Sequence, residues 1–447
     1  MMTLRNLMQP AAALTILLGS RILVSAQAQQ QQITPIQLHQ AEDMLGDMRD
    51  ALKKNYYDTT YHGLDIEARY QTYRERLEKS KTLADAFRTV AAYLSGLSDS
   101  HTFFLPPRVS YQAVYGYRMQ IIGDACYITG VRPETDASAK LHLGDQVLSL
   151  DGFSVNRNDL WQLEYYLEDL GPKPASELTI RNPLGEARKE QVLTKYIERK
   201  QLKDLTIASS DTDIYNLIFE RERMRHSLRS RHVEQGDVMI WKMPAFILTD
   251  GEVDHLVNLA RQHKALVLDL RDNPGGYVTT LNHMIGSLFD HDVKVNIRVS
   301  RKGEKTEVAK SRGKSAFAGD LFVLVDSRSA SAAEMFARVV QLEHRGTILG
   351  DRTSGSVMEA NHFPFSSGMD IKVFYGASVT VADVLMADGK SLEKVGVTPD
   401  VILLPTGSQL AEGQDPVLSR AAELAGLKLD PVAAGKLFPY EWAPLAN

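Results

Sequence analysis

The stretch from Leu321 to Gly355, LFVLVDSRSASAAEMFARVVQLEHRGTILGDRTSG, restricts the fold more than any other part of the chain. Leu321–Val325 is a short apolar run, as in a strand covered on both faces. Asp326-Ser-Arg-Ser-Ala-Ser331 is a hydroxyl-rich turn. From Ala332 to Leu342 the residues Met335, Phe336, Val339 and Leu342 fall at helical spacing. Thr347-Ile-Leu349 opens another strand, closed by Gly350. A serine where a strand hands over to a helix stands at the carboxyl edge of a sheet, beside the positive end of the helix. Ser331 in that place is either an N-cap or a nucleophile. The stretch alone leaves both open.

The chain has 447 residues, room for two or three domains. Apolar residues make up 44% and charged residues 24%, as in an ordinary globular protein. A formal net charge of -5 leaves no basic footprint for nucleic acid. The single cysteine, Cys126, excludes an internal disulfide framework and any multi-cysteine metal site. The twelve histidines show no HExxH spacing, so neither a metal nor another cofactor is expected. Residues 1–28 read as an export signal: Arg5, then apolar Ala11–Gly19, then Ala26-Gln-Ala28 as a small-x-small cleavage site. Arg21 interrupts it, and an uncleaved anchor is the alternative. The expected location is periplasmic or secreted, with membrane contact only through an uncleaved N-terminal segment.

Helical spacing predicts helices over Pro35–Tyr57, Ile66–Leu77 and Leu83–Leu97, a helical subdomain within residues 29–112. The third ends in Gly96 and a loop, Ser98-Asp99-Ser100-His101-Thr102. Here an adjacent hydroxyl and a carboxylate stand ready to orient an imidazole. Residues 113–197 change to short strands around a helix over Asp159–Leu170. Their Gly144-Asp145-Gln-Val-Leu-Ser-Leu-Asp151-Gly152 resembles the GDxIxxxDG signature of PDZ domains. That resemblance implies a groove that adds a peptide as an extra strand. Tyr115-Gly116-Tyr117-Arg118 falls where such a module grips a carboxylate, although it departs from Gly-Leu-Gly-Phe. Ile197–Glu222 is charged and reads as linker with strands. Strand and helix alternate through residues 198–406, which predicts an α/β sheet at least partly parallel. In residues 407–447 a helix over Asp415–Ala425 precedes a poorly determined tail.

A second turn carries chemistry. In Asp269-Leu-Arg-Asp-Asn-Pro-Gly275-Gly276 two glycines after a proline turn the backbone sharply and bare its amides, as an oxyanion hole requires. The turn alone is equally a bend with no ligand.

Leu268–Gly276, Ser329-Ala-Ser331-Ala-Ala-Glu334, Gly350-x-x-Thr353-x-Gly355 and Glu393-x-x-Gly396-Val397-x-Pro399-Asp400 occur in that order. With Asp99-Ser-His101-Thr102 ahead of the PDZ-like stretch, the set resembles the S41 peptidases, the C-terminal processing and tricorn-type proteases. The likeness runs from about Pro35 to Ala425. It implies a multidomain α/β serine peptidase acting on extended or unfolded polypeptides. Ser331 matches the nucleophile, with Ser327 and Ser329 as competing hydroxyls. The amides of Ala332 and of Gly275 or Gly276 match the oxyanion hole. Processing proteases in the family use a lysine base where this chain has Ser356, and no lysine occurs between Lys314 and Lys372. The tricorn-type arrangement implies His101 as base, with Ser100 and Glu393 orienting it. Asp99 is the alternative orienter and His362 a second choice of base. Two rivals stay open: a Ser-Lys protease, and an inactive protein that binds peptides through its PDZ-like groove. The oligomeric state is not readable.

Overall fold

The computed structural model describes residues 32–107, 111–198, 230–368, 372–442 and 445. The expected export segment and most of the charged stretch Ile197–Glu222 lie outside the described residues. The fold is mixed α/β. Its centre is a six-stranded sheet built from β7 (Arg231–Gln235), β8 (Val238–Lys242), β9 (Ala265–Asp269), β12 (Asp320–Val325), β13 (Thr347–Gly350) and β16 (Val401–Ile402) in spatial order. β7 pairs antiparallel with β8, and every other neighbouring pair is parallel. The apolar runs are there because both faces are covered. Helices α5 (Asp250–Ala260), α6 (Val278–Leu288) and α7 (Ala332–Leu342) share a core with Met239, Leu268, Val323 and Ile348. On the other face Val238, Val267, Leu324 and Leu349 meet Val417, Leu418 and Ala421 of α8 (Pro416–Leu424) and Ala434 of α9 (Pro431–Gly435). The segment read as a tail therefore holds a second helix, which closes that face.

α7 has the bounds that its spacing predicts. The three N-terminal helices also form, as α1 (Pro35–Asn55), α2 (Ile66–Leu77) and α3 (Leu83–Ser95). Thr34 caps α1 and Thr82 caps α3, each in a capping box. Their shared core extends to Phe104, Tyr375, Ala377 and Val379. The last three lie on β15 (Val373–Met386), the long strand of a second sheet. β15 pairs with β14 (Met358–Ser367), β10 (Val293–Ser300) and β1 (Phe103–Leu105), and β10 pairs with β11 (Gly303–Ala309). None of this hairpin system was predicted. Its strands are partly exposed and mix polar with apolar residues, so their periodicity is weak.

A third sheet runs β2 (Tyr117–Ile122), β3 (Ala125–Val131), β4 (Gln146–Leu150), β5 (Ala175–Arg181), β6 (Ala187–Leu193). The helix expected over Asp159–Leu170 is α4 (Leu160–Tyr165), continued as a wider π turn over Tyr166–Leu170. Gln120 Nε2 donates to Asp326 at 2.7 Å, and Arg157 donates to Asp351 at 2.7 Å, joining this sheet to the central one.

Candidate active site

Ser331 ends the turn between β12 and α7 with φ 54° and ψ -118°. A side chain rarely takes such a conformation, and its retention marks a site held by its surroundings. Ser331 stands at the N-cap position of α7, in a capping box with Glu334, although its backbone is not that of an ordinary cap. Glu334, fully buried, reaches back and accepts from the Ser331 N–H at 3.1 Å. The competing hydroxyls are occupied. Ser327 Oγ donates to the Ile121 carbonyl at 2.5 Å, and Ser329 Oγ to that of Leu270 at 2.8 Å.

Glu334 also accepts from Thr353 Oγ1 at 2.5 Å and from the N–H groups of Gly355 at 2.7 Å and Ser356 at 2.9 Å. It thus locks the start of α7 to the turn after β13. Burial pushes its carboxyl up to about 7, and the four donors oppose that shift without cancelling it. The Ser331 N–H also donates to the Ser356 carbonyl at 2.9 Å. Ser356, where a lysine would supply a base, is tied through its hydroxyl to Ser354 at 2.9 Å. Lys372 is exposed just before β15. Ser367↔Val373 closes that end of the β14–β15 pairing and Met358↔Asp383 the other, roughly 30 Å apart along the strand.

The glycine turn lies against Ser331. Gly275 has φ +94°, and a Cβ there would stand 2.7 Å from Ser331 Cβ and 2.9 Å from the Ala332 nitrogen. Fully buried Asn273 holds the turn: its Nδ2 donates to Met243 O at 2.8 Å, and its carbonyl accepts from Ala330 N–H at 2.9 Å. Asn273 Oδ1 accepts from the Gly275 N–H at 2.9 Å. This corrects one expectation, since the Gly275 amide is engaged within its own turn.

His101 lies in the loop between α3 and β1, with Ser100 and Glu393 beside it. Ser100 Oγ is 2.7 Å from His101 Nδ1 and donates to Glu393 Oε2 at 2.9 Å. The Ser100 N–H donates to Glu393 Oε1 at 2.8 Å. Ser100 has one hydroxyl proton and gives it to Glu393, so Nδ1 carries a hydrogen and donates to Ser100. Nε2 is left as an acceptor. Burial holds the His101 imidazole below its ordinary range; the charge of Asp99 opposes this and His362 reinforces it. Burial raises the Glu393 carboxyl, against the donors Val357 and Ser100. Glu393 accepts from the Val357 N–H at 2.9 Å, so Ser331 and His101 are both tied to the neighbours Ser356 and Val357. Asp99 binds the backbone of His101 and not its ring, at 3.0 Å from the N–H.

The expected peptide-binding residues have other partners. Arg118 donates to Asp272 at 2.6 Å and lies 4.8 Å from the Tyr440 ring centre. On β2 it alternates with inward Met119 and so faces the central sheet. Tyr115 is buried and its hydroxyl donates to Leu167 O at 2.5 Å. The Gly116 carbonyl accepts from Arg132 N–H at 2.8 Å, and Tyr117 opens β2 opposite Val131. β2 is the edge of its sheet, and its Met119 and Ile121 carbonyls accept from Arg328 and Ser327. Sequence reasoning missed Glu334 and Asn273 as holders of the two turns; both are polar residues buried beside glycines or serines.

Among the described residues no group of three or more His, Cys, Asp or Glu could hold a metal, and no helix is long and apolar enough to cross a membrane.

Residues 236–403 match the family model of peptidase family S41, and residues 40–94 that of the tricorn protease C1 domain. The tail-specific protease of Haemophilus influenzae is 26% identical over 75% of this chain and 48% of its own length. A carboxyl-terminal-processing protease of Synechocystis is 27% identical over 61% of this chain and 56% of its own. The chain thus spans about half the length of these curated relatives. Among solved structures, mature CPAF aligns over 84% of this chain and 94% of its own, with TM-score 0.63 and 15% identity. The photosystem II D1 C-terminal processing protease aligns over 90% and 99%, with TM-score 0.51 and 20% identity. These two likenesses are of fold.

Proposed function

We propose that this chain is an exported serine endopeptidase of peptidase family S41, whose model it matches, and that it cuts extended or unfolded polypeptides. Ser331 is the nucleophile, His101 the general base, and Ser100 with Glu393 the relay that orients it. The observation that carries this reading is the Nδ1–Ser100–Glu393 chain, which leaves Nε2 to accept a proton.

Ser331 Oγ attacks the scissile carbonyl carbon while Nε2 takes its proton. The negative charge on the carbonyl oxygen is met by the amides of Gly276 and Ala332. As the C–N bond breaks, Nε2 returns the proton to the leaving amine. Water then attacks the acyl-enzyme, gives its proton to Nε2, and releases the new carboxylate and Ser331. No step draws on a cofactor.

Residues 29–112, 113–197, 198–406 and 407–447 serve as helical, PDZ-like, catalytic and C-terminal parts. The names of the relatives make exposed polypeptide C-termini the first substrates to test. The proposed partners are polypeptides; nucleic acid is not one of them. A lysine base is disfavoured by the separation of Lys372 from Ser356. The test is casein hydrolysis and fluorophosphonate labelling of wild type, Ser331→Ala and His101→Ala. Both variants are expected to lose hydrolysis, and Ser331→Ala to lose the label. Undiminished cleavage by His101→Ala overturns the base assignment.

A further inference from the structure

We propose that Tyr56, at the end of α1, is a positioning residue for His101: through Asp99 it fixes the backbone that carries the imidazole. This rests on the reading of His101 as base. Asp99 Oδ1 accepts from three donors: the His101 N–H at 3.0 Å, the Thr102 N–H at 2.7 Å and Thr380 Oγ1 at 2.8 Å. Its Oδ2 accepts from the Tyr56 hydroxyl at 2.8 Å. Both carboxylate oxygens are therefore engaged, and three of the four donors belong to the catalytic loop or the strand beside it.

Tyr56 is itself firmly held. Its ring is fully buried. Its N–H donates to Leu52 O at 3.0 Å, and its carbonyl accepts from Arg301 Nε at 2.5 Å. The next residue, Tyr57, donates its N–H to Thr380 O at 3.1 Å. Burial, then the charge of Asp99, raises the phenol, so it remains a donor at every working pH. Because its one proton goes to Asp99, the nearby His62 Nε2, at 3.0 Å, must donate to the Tyr56 oxygen. The His62 backbone N–H in turn donates to Asp58 Oδ2 at 2.7 Å. A chain from Asp58 through His62 and Tyr56 to Asp99 thus joins the N-terminal helices to the base.

Tyr56→Phe tests this, because it keeps the ring and removes only the hydroxyl. The groups that face His101 are Ser100 and, by charge, Asp99 and His362. A loosened loop admits water to the imidazole and weakens the burial that lowers its pKa. The expected result is kcat lower by about tenfold or more with KM within about twofold. The acid limb of the pH profile moves up. Thermal stability should drop little, which separates positioning from folding. Wild-type kcat and acid limb in Tyr56→Phe, with His101→Ala inactive, overturn the proposal and leave the base reading intact. Full activity of His101→Ala removes both. If Tyr56→Phe does not fold, Asp99→Asn keeps the volume and removes the charge. A fall in kcat at unchanged KM is expected there, and wild-type kcat overturns the proposal.

Discussion

Ser331 keeps a backbone conformation that costs about 1–3 kcal/mol, with φ 54° and ψ -118°. That conformation separates it from an ordinary cap, which has extended backbone. His101 adds a pH signature. A base must be neutral to act, and burial holds the imidazole below its ordinary 6.5. The rate is therefore lost only as pH falls through that lowered value. We expect kcat/KM to rise with pH to a plateau, with an acid midpoint below 6.5. A midpoint well above 7 would favour a lysine. His101 was legible as a candidate from Asp99-Ser100-His101 alone, but the division between its partners was not. Asp99 and Glu393 are equally good acceptors on paper; in the fold Asp99 accepts from the His101 backbone and Glu393 from Ser100.

The glycine turn meets the Ser331 turn at one edge of the central sheet, and each has one holder. Gly275 stands so near Ser331 that a methyl group would meet its Cβ at 2.7 Å. Gly275→Ala is expected to reduce kcat by about a hundredfold or more, since the proposed oxyanion turn must move off the proposed nucleophile. Wild-type kcat in that variant would show that the turn has no part in the chemistry. Glu334 holds the other turn with four accepted bonds. Its carboxyl is raised from 4.5 to about 7 in the fold. The native protein thus binds this proton more tightly than the unfolded chain. The contribution to stability is full below about 4.5 and is lost as pH rises through about 7. Thermal melts from pH 5 to 8 should show a falling stability that Glu334→Gln flattens. The glutamine cannot accept all four bonds, so it is also expected to cost about 2–4 kcal/mol at pH 5.

Across the whole molecule, the Asp269–Gly276 turn is anchored to the C-terminal helices. Burial acts to raise Asp269, but Arg271 and Lys242 hold it well below the usual carboxylate range. Arg271 also pairs with Asp415, the cap of α8, at 2.7 and 2.9 Å. Arg271→Ala leaves Asp269 buried with one cation fewer. A loss of about 3–5 kcal/mol is expected, read by denaturant unfolding. A loss under about 1 kcal/mol would mean that Lys242 alone suffices. The module with β2 at its edge is docked on the same turns by Arg118, Gln120 and Arg157. Arg118, expected to bind peptide, is paired with Asp272 in this docking.

By itself the sequence determined the central sheet and its helices, because buried parallel strands need unbroken apolar runs and the helices a periodic face. It also determined the candidate serine, histidine and glycine turn, because sharp turns and exposed amides restrict residue choice locally. Only the tertiary structure decided what engages the competing hydroxyls of Ser327 and Ser329 and which glycine amide is occupied. It also decided that Tyr56, 45 positions from His101, shares its carboxylate anchor. Such choices depend on partners distant in the chain, and a buried polar group takes whichever partner the packing brings within hydrogen-bond reach.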